Sequence, residues 1–173
     1  MGRQWLRLVW RDLIVPLLQA EHDLAPAEPN AIEERLNGDN RRLTGCDDDR
    51  GLVFLLRDTA GHPIGIAAGY SWAGIAELKL MWVDEACRGL GHGKRLLDAF
   101  VAEAAARSAR RIWVATHDFQ APGLYEKAGF ERVGEFAGWP EGHSNIILCR
   151  TVAVRRPCPA AASAPGGFQA KPA

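Results

Sequence analysis

Short runs of apolar residues, separated by polar turns, fill the middle of the chain and predict a sheet built from hairpins. Residues 52–57 and 64–70 read as strands joined by Asp58-Thr59-Ala60-Gly61-His62-Pro63, a turn-rich connector. A second turn at residues 71–74 leads into a third strand over 76–83, giving an antiparallel meander. The period then changes. Between about Gly91 and Ser108, Leu96, Leu97, Phe100, Val101, Ala104 and Ala105 form a helical stripe. Residues 111–116 are the next strand, and the order strand, loop, helix, strand makes it a parallel neighbour of 76–83 through a right-handed crossover. A short helix from Gln120 or Pro122 to Ala128, stopped by Gly129, precedes a closing hairpin of residues 130–136 and 144–152. The predicted class is α+β (α/β), with a mixed, mostly antiparallel central sheet flanked by helices.

The flanks have a different texture. Ala25-Pro26-Ala27-Glu28-Pro29-Asn30 is a punctuated linker, and Asn30 is placed to cap a short helix through about Leu36. Residues 6–18 are apolar in part, but Arg7, Arg11 and Asp12 interrupt them, well short of the roughly 18–20 apolar residues of a spanning helix. No small-residue cleavage pattern follows, so the segment reads as an amphipathic helix packed on the domain or on a partner. Residues 157–167 carry too little apolar bulk to offset the entropy of ordering. The expected division is an N-terminal extension over 1–24, one domain over 25–155, and a disordered Pro/Ala/Gly-rich tail over 156–173.

Composition narrows the class. The chain is 173 residues long and 47% hydrophobic, enough for one real core. Lysine plus arginine and aspartate plus glutamate both number 21, so no net field selects nucleic acid or a membrane surface. Cys46, Cys87, Cys149 and Cys158 have neither pairing nor metal-ligand spacing, and the five histidines are scattered. A reduced, cytoplasmic protein without a structural metal is expected.

Chemistry concentrates in Arg88-Gly89-Leu90-Gly91-His92-Gly93-Lys94, which follows an apolar run and opens the long helix. Alternate glycines keep side chains off the backbone, so several N–H groups can converge on an anion beside the positive end of the helix dipole. A Walker loop is excluded because Arg88 stands at its first glycine position and Arg95 replaces the magnesium-binding hydroxyl. A dinucleotide fingerprint counted from Gly89 places Lys94 at its last glycine.

The residues do fit Arg-x-x-Gly-x-Gly (Arg88, Gly91, Gly93) after Leu80-Met81-Trp82-Val83-Asp84. With the downstream run Asp118-Phe119-Gln120-Ala121-Pro122-Gly123-Leu124-Tyr125-Glu126-Lys127-Ala128-Gly129-Phe130, the chain resembles the GNAT superfamily of acyl-coenzyme A-dependent N-acyltransferases over about residues 50–150. The resemblance implies that the strand ending at Val83 splays from the 111–116 strand, forming the site for acetyl-coenzyme A. Coenzyme contacts would come from Met81, Trp82, Val83, Arg88, Gly89, Leu90, Gly91, His92, Gly93, Lys94, Asp118 and Tyr125. In this pattern the Val83 N–H polarises the thioester and Tyr125 protonates the leaving thiolate. The family often has asparagine where Asp118 stands, so coenzyme affinity or geometry is expected to differ.

The base is less defined. Strand alternation sets Glu77, Lys79, Met81 and Val83 on one face, so Glu77 could reach the acceptor cleft or simply pair with Lys79. Glu85 and His143 are the other candidates; His143 could equally orient substrate or cap its own hairpin. Trp72 and Trp82 could wall an acceptor pocket, and the acidic run Asp47-Asp48-Asp49 could attract a cationic amine, with core packing and solvation as the plainer alternatives. The resemblance implies an N-acetyltransferase acting on a small-molecule or protein amine by direct attack in a ternary complex. The competing expectation is a catalytically silent coenzyme A-binding sensor or interaction module. Free sheet edges and the extension make a homodimer plausible.

Overall fold

The computed structural model describes residues 25–153 together with Leu18, Ala20 and Asp23. The predicted N-terminal helix, Leu18 apart, and the predicted tail lie outside the described residues. Two compact units meet in sequence at Asp39 and Asn40. Helix α1, Ala27–Thr44, buries none of its residues. It is longer than the expected helix ending near Leu36, and Asn30 is not its cap, since the Asn30 N–H already donates to the Pro26 carbonyl at 3.2 Å. Arg41 and Arg42 suit the negative end of its dipole, and Gly45, at φ 70°, stops it in the left-handed region.

The second unit is a six-stranded sheet: β1 Arg50–Arg57, β2 Pro63–Trp72, β3 Ile75–Val83, β4 Arg111–His117, β5 Glu131–Ala137 and β6 Ser144–Thr151. Their spatial order is β1-β2-β3-β4-β6-β5, and β3–β4 is the parallel pair in an otherwise antiparallel ladder. Helix α2, His92–Ala106, packs on β1, β2 and β3 through the predicted stripe, burying Leu96, Leu97, Phe100, Val101 and Ala104. Those side chains join Leu52, Ala67, Ala76, Leu78, Ile112, Val114, Ile146 and Leu148 in one core. Helix α3, Pro122–Lys127, adds Tyr125 to the same core, beside Phe130 at the entry to β5.

One irregularity positions the site. Ala68 pairs with Leu80 and Gly69 with Leu78, so Lys79 is an extra residue on β3. A bulge of this kind bends its strand and reverses the side-chain alternation beyond it. Gly69 permits it, because a Cβ there would lie 1.8 Å from the Glu77 carbonyl oxygen. The parallel ladder to β4 ends at the same place: Ile75 to Leu78 pair with Arg111 to Val114, and beyond them the strands part. The single face expected for Glu77, Lys79, Met81 and Val83 is therefore corrected. Ala76 and Leu78 are buried before the bulge, and Met81 and Val83 pack toward the same core after it. Glu77 falls on the opposite face with Leu80 and Trp82, while Lys79 lies over the Tyr70 ring, its Nζ 5.0 Å from the centroid.

Candidate active site

Where β3 and β4 part, a cleft of about 860 Å³ opens. Met81, Trp82 and Val83 line it from β3, Thr116 from β4, Cys87 to Gly89 and Gly91 to Lys94 from the glycine loop, and Phe119 to Ala121 with Leu124, Tyr125 and Lys127 from the α3 region.

The glycine loop starts from a braced turn. Asp84 Oδ1 accepts from the Ala86 N–H at 2.9 Å, capping a short 3-10 helix over Glu85–Cys87, and Arg88 Nε donates to the Val83 carbonyl at 3.1 Å. Gly89 and Gly91 then take positive φ, 78° and 82°, with nothing within 4 Å of a would-be Cβ. Among the described residues no N–H from Gly89 to Lys94 makes a well-formed hydrogen bond to a backbone carbonyl; the helical ladder begins with the Arg95 N–H to Gly91 at 3.1 Å. Gly91 supplies no side-chain cap, and His92 Nδ1 is buried without a partner among the described residues. Bare backbone, unpaired donors and an orphaned imidazole nitrogen at a helix start fit a polyanionic group such as a pyrophosphate.

Tyr125 is 6% exposed yet still reaches the cleft wall. Its ring meets Phe130 edge-on at 5.9 Å, and burial raises its phenol above the ordinary tyrosine range.

The cleft thus gathers Met81, Trp82, Val83, Arg88, Gly89, Gly91, His92, Gly93, Lys94 and Tyr125 from the expected set. Leu90, Asp118, Glu77, Glu85, Trp72 and His143 are not on its lining. Leu90 points to solvent at 69% exposure, and the Trp72 indole donates to the Cys46 carbonyl at 3.3 Å. Lys94 is held by Asp98 at 2.6 Å on the exposed helix surface.

Asp118 has a structural task. Its carboxylate accepts from His143 Nδ1 at 3.0 Å and from the Ser144 N–H at 3.1 Å, tying the end of β4 to the start of β6. The acidic run is likewise engaged: Asp47 and Asp49 face Arg41, and Asp48 accepts from the Ala73 N–H at 2.9 Å. Sequence reasoning missed Thr116, Gln120 and Leu124. Gln120 Oε1 accepts from both Thr116 Oγ1 and the His117 N–H, each at 2.9 Å, which closes the turn after β4. Its signal was present in the Phe-Gln-Ala-Pro run that introduces the Tyr125 helix.

Among the described residues no cluster of His, Cys, Asp and Glu could hold a metal ion, and no helix is long and apolar enough to cross a membrane.

A mixed sheet opened at its parallel pair, with a glycine-loop helix on one side and a tyrosine-bearing helix on the other, is the arrangement that the resemblance to the GNAT superfamily implies. A model of the acetyltransferase (GNAT) family matches residues 9–130, beginning upstream of the domain start expected at residue 25. Blasticidin-S acetyltransferase of Streptomyces morookaense is 32% identical over 91 residues, or 50% of this chain. That match spans 63% of the relative's own length. An acetyltransferase of Agrobacterium fabrum is 30% identical over 123 residues, 70% of this chain and 90% of that one. Among solved structures, an Agrobacterium tumefaciens protein assigned as an acetyltransferase superposes with a TM-score of 0.71 at 28% identity, covering 79% of this chain and all of its own. The chain belongs to the GNAT acetyltransferase family.

Proposed function

We propose that the protein is an N-acetyltransferase that moves acetyl from acetyl-coenzyme A to a primary amine of a small molecule or protein, by direct attack in a ternary complex. The observation that carries this reading is the open end of the β3–β4 pair, where unpaired strand edges, an unpaired run of N–H groups and Tyr125 converge on one cleft.

Each residue has a physical task. The N–H groups of Gly89 to Lys94, with the α2 dipole, hold the coenzyme pyrophosphate. The Asp84 N–H bonds the Ile64 carbonyl at 2.9 Å, and neighbouring peptide groups along a strand point to opposite edges. The Val83 N–H is therefore turned away from β2 and toward the gap, where it can stabilise the developing oxyanion. One such donor is worth roughly 3 kcal/mol in the transition state. The amine nitrogen attacks the thioester carbon, the new C–N bond forms as the C–S bond breaks, the thiolate takes the Tyr125 phenol proton, and the proton that the nitrogen sheds on becoming an amide passes to solvent, from which Tyr125 is reprotonated. A raised pKa keeps that phenol protonated until it is needed. Cys87 lines the cleft, but its thiol has no hydrogen-bonded base among the described residues, which favours direct transfer over an acyl-enzyme.

Free-thiol release from acetyl-coenzyme A against a panel of amines tests the reading, with coenzyme binding followed by calorimetry. Tyr125→Phe is expected to lower kcat by about 10²-fold or more while leaving coenzyme affinity within about twofold. Equal turnover by the two proteins would remove Tyr125 from the mechanism. Tight coenzyme binding with no release from any small amine or peptide would favour the silent sensor.

A further inference from the structure

We propose that His117, Phe119, Trp139 and His143 form the acceptor subsite, and that it takes a primary amine carried on a planar aromatic or heteroaromatic ring. The inference rests on the acetyl-transfer reading and deepens it by naming the acceptor class.

The four rings form one wall beside the cleft. His117 and Phe119 stack, with centroids 5.1 Å apart and planes inclined by 18°. Trp139 meets the edge of His117 at 5.6 Å, and His143 stands edge-on to Phe119 at 4.9 Å. Phe119 lines the cleft itself, so the wall joins the cleft that Val83 and Tyr125 also line. Rings that served only the core would be covered, yet Phe119 is 56% exposed and Trp139 60%. Exposed aromatic surface grouped at a cleft mouth marks a binding surface, and near-parallel rings braced by perpendicular ones suit offset stacking of a further ring.

The wall is also fixed in place before any ligand arrives. Asp118 stands between His117 and Phe119 in the chain and grips the opposite turn through His143 Nδ1 and the Ser144 N–H. The Asp118 N–H donates to the Ser144 carbonyl at 3.0 Å. That turn is closed on itself by the Gly138 N–H to His143 carbonyl bond at 2.8 Å and the His143 N–H to Pro140 carbonyl bond at 2.9 Å. Preorganisation of this kind lowers the cost of binding.

Charge and hydrogen bonding select within the amines. The Asp118 carboxylate, set inside the wall, is engaged by His143 and the Ser144 N–H, so it braces the wall while Phe119 and Trp139 give it exposed ring surface. A carboxylate only accepts, so His143 directs Nδ1–H at Asp118, and in the neutral imidazole Nε2 is then the acceptor. That nitrogen belongs to a half-exposed side chain and is suited to receive a hydrogen bond from the acceptor's amine.

The test compares primary amines, 2-phenylethylamine and tryptamine against hexylamine and spermidine, on the full chain. Ring-bearing amines are expected to show about tenfold higher kcat/KM, mainly through KM, and Trp139→Ala is expected to compress that ratio toward one. Acetyl-coenzyme A affinity, read by calorimetry in the variant, reports an intact fold and donor site; Phe119→Leu serves if Trp139→Ala does not fold. Calorimetric binding of the same amines to protein saturated with coenzyme A reads the wall independently of turnover. Ring selectivity in binding with no thiol release from any amine would overturn the acetyl-transfer reading and keep the wall. Absence of ring selectivity in both readouts, or selectivity that survives both substitutions, would overturn the wall.

Discussion

The two ends of the β3–β4 pair are made of the same two strands and have opposite fates. At one end Ile75 to Leu78 lie in register with Arg111 to Val114, and Ala76, Leu78, Ile112 and Val114 are sealed in the core. At the other the strands separate, Trp82 is 42% exposed, and Met81, Val83 and Thr116 line a cleft. What divides them is one inserted residue, Lys79, opposite one missing side chain, Gly69. The closed end holds the sheet together, and the open end gains free backbone donors and space without breaking the ladders to β2 and β6. A single backbone irregularity separates a sealed core from an open cleft along two continuous strands.

The largest effect that sharpens this contrast is expected from paired truncations. Leu78→Ala, at the closed end, should cost about 2–5 kcal/mol of folding free energy, while Trp82→Ala at the open end should cost well under about half of that. Urea unfolding of both variants checks it; similar losses would mean that the open end also carries the fold. Gly69→Ala comes next, with an expected loss of about 1–3 kcal/mol, because the new methyl meets the Glu77 carbonyl oxygen and the bulge must shift. Its distinguishing readout is a fall in coenzyme affinity as well as in Tm, since the same bulge opens the cleft. An unaltered melting curve would detach the gap from the bulge.

The smallest effect lies in pH. Burial raises the Tyr125 phenol above its ordinary value of 10.0, so the folded state holds that proton more tightly than the unfolded chain does. This contribution to stability is fully present below the unfolded tyrosine pKa and is lost as pH rises through the higher folded value. Thermal unfolding above pH 10 should therefore fall more steeply for the native protein than for Tyr125→Phe. Parallel slopes would show that burial of the phenol has no energetic weight.

Much of this architecture was legible in residue pattern. The α2 stripe, the meander, the parallel neighbour and the closing hairpin follow from periodicity and turn chemistry, because each is decided by residues close in sequence. The two glycine-rich and tyrosine-bearing motifs located the cleft for the same reason. The face of Glu77 was not legible: a bulge is set by a cross-strand approach, and nothing near Lys79 in sequence announces that its partner is a glycine. The bonds of Asp118 and of the acidic run were not legible for a similar reason, since their partners His143, Ser144 and Ala73 lie 25 or 26 positions away. The length of α1 was missed because Asn30 has a capping side chain in a helix that had already begun at Ala27.

The Asp118 grip on His143 and Ser144 also bears on how this protein can diverge. The turn after β4 and the turn before β6 are remote in the gene but share one carboxylate. A change at 118 alone strands an imidazole, and a change at 143 alone strands an acid. Lineages that reshape this side of the cleft should therefore record coupled replacements at the two positions, while the glycine loop, built from its own contiguous segment, is inherited undisturbed.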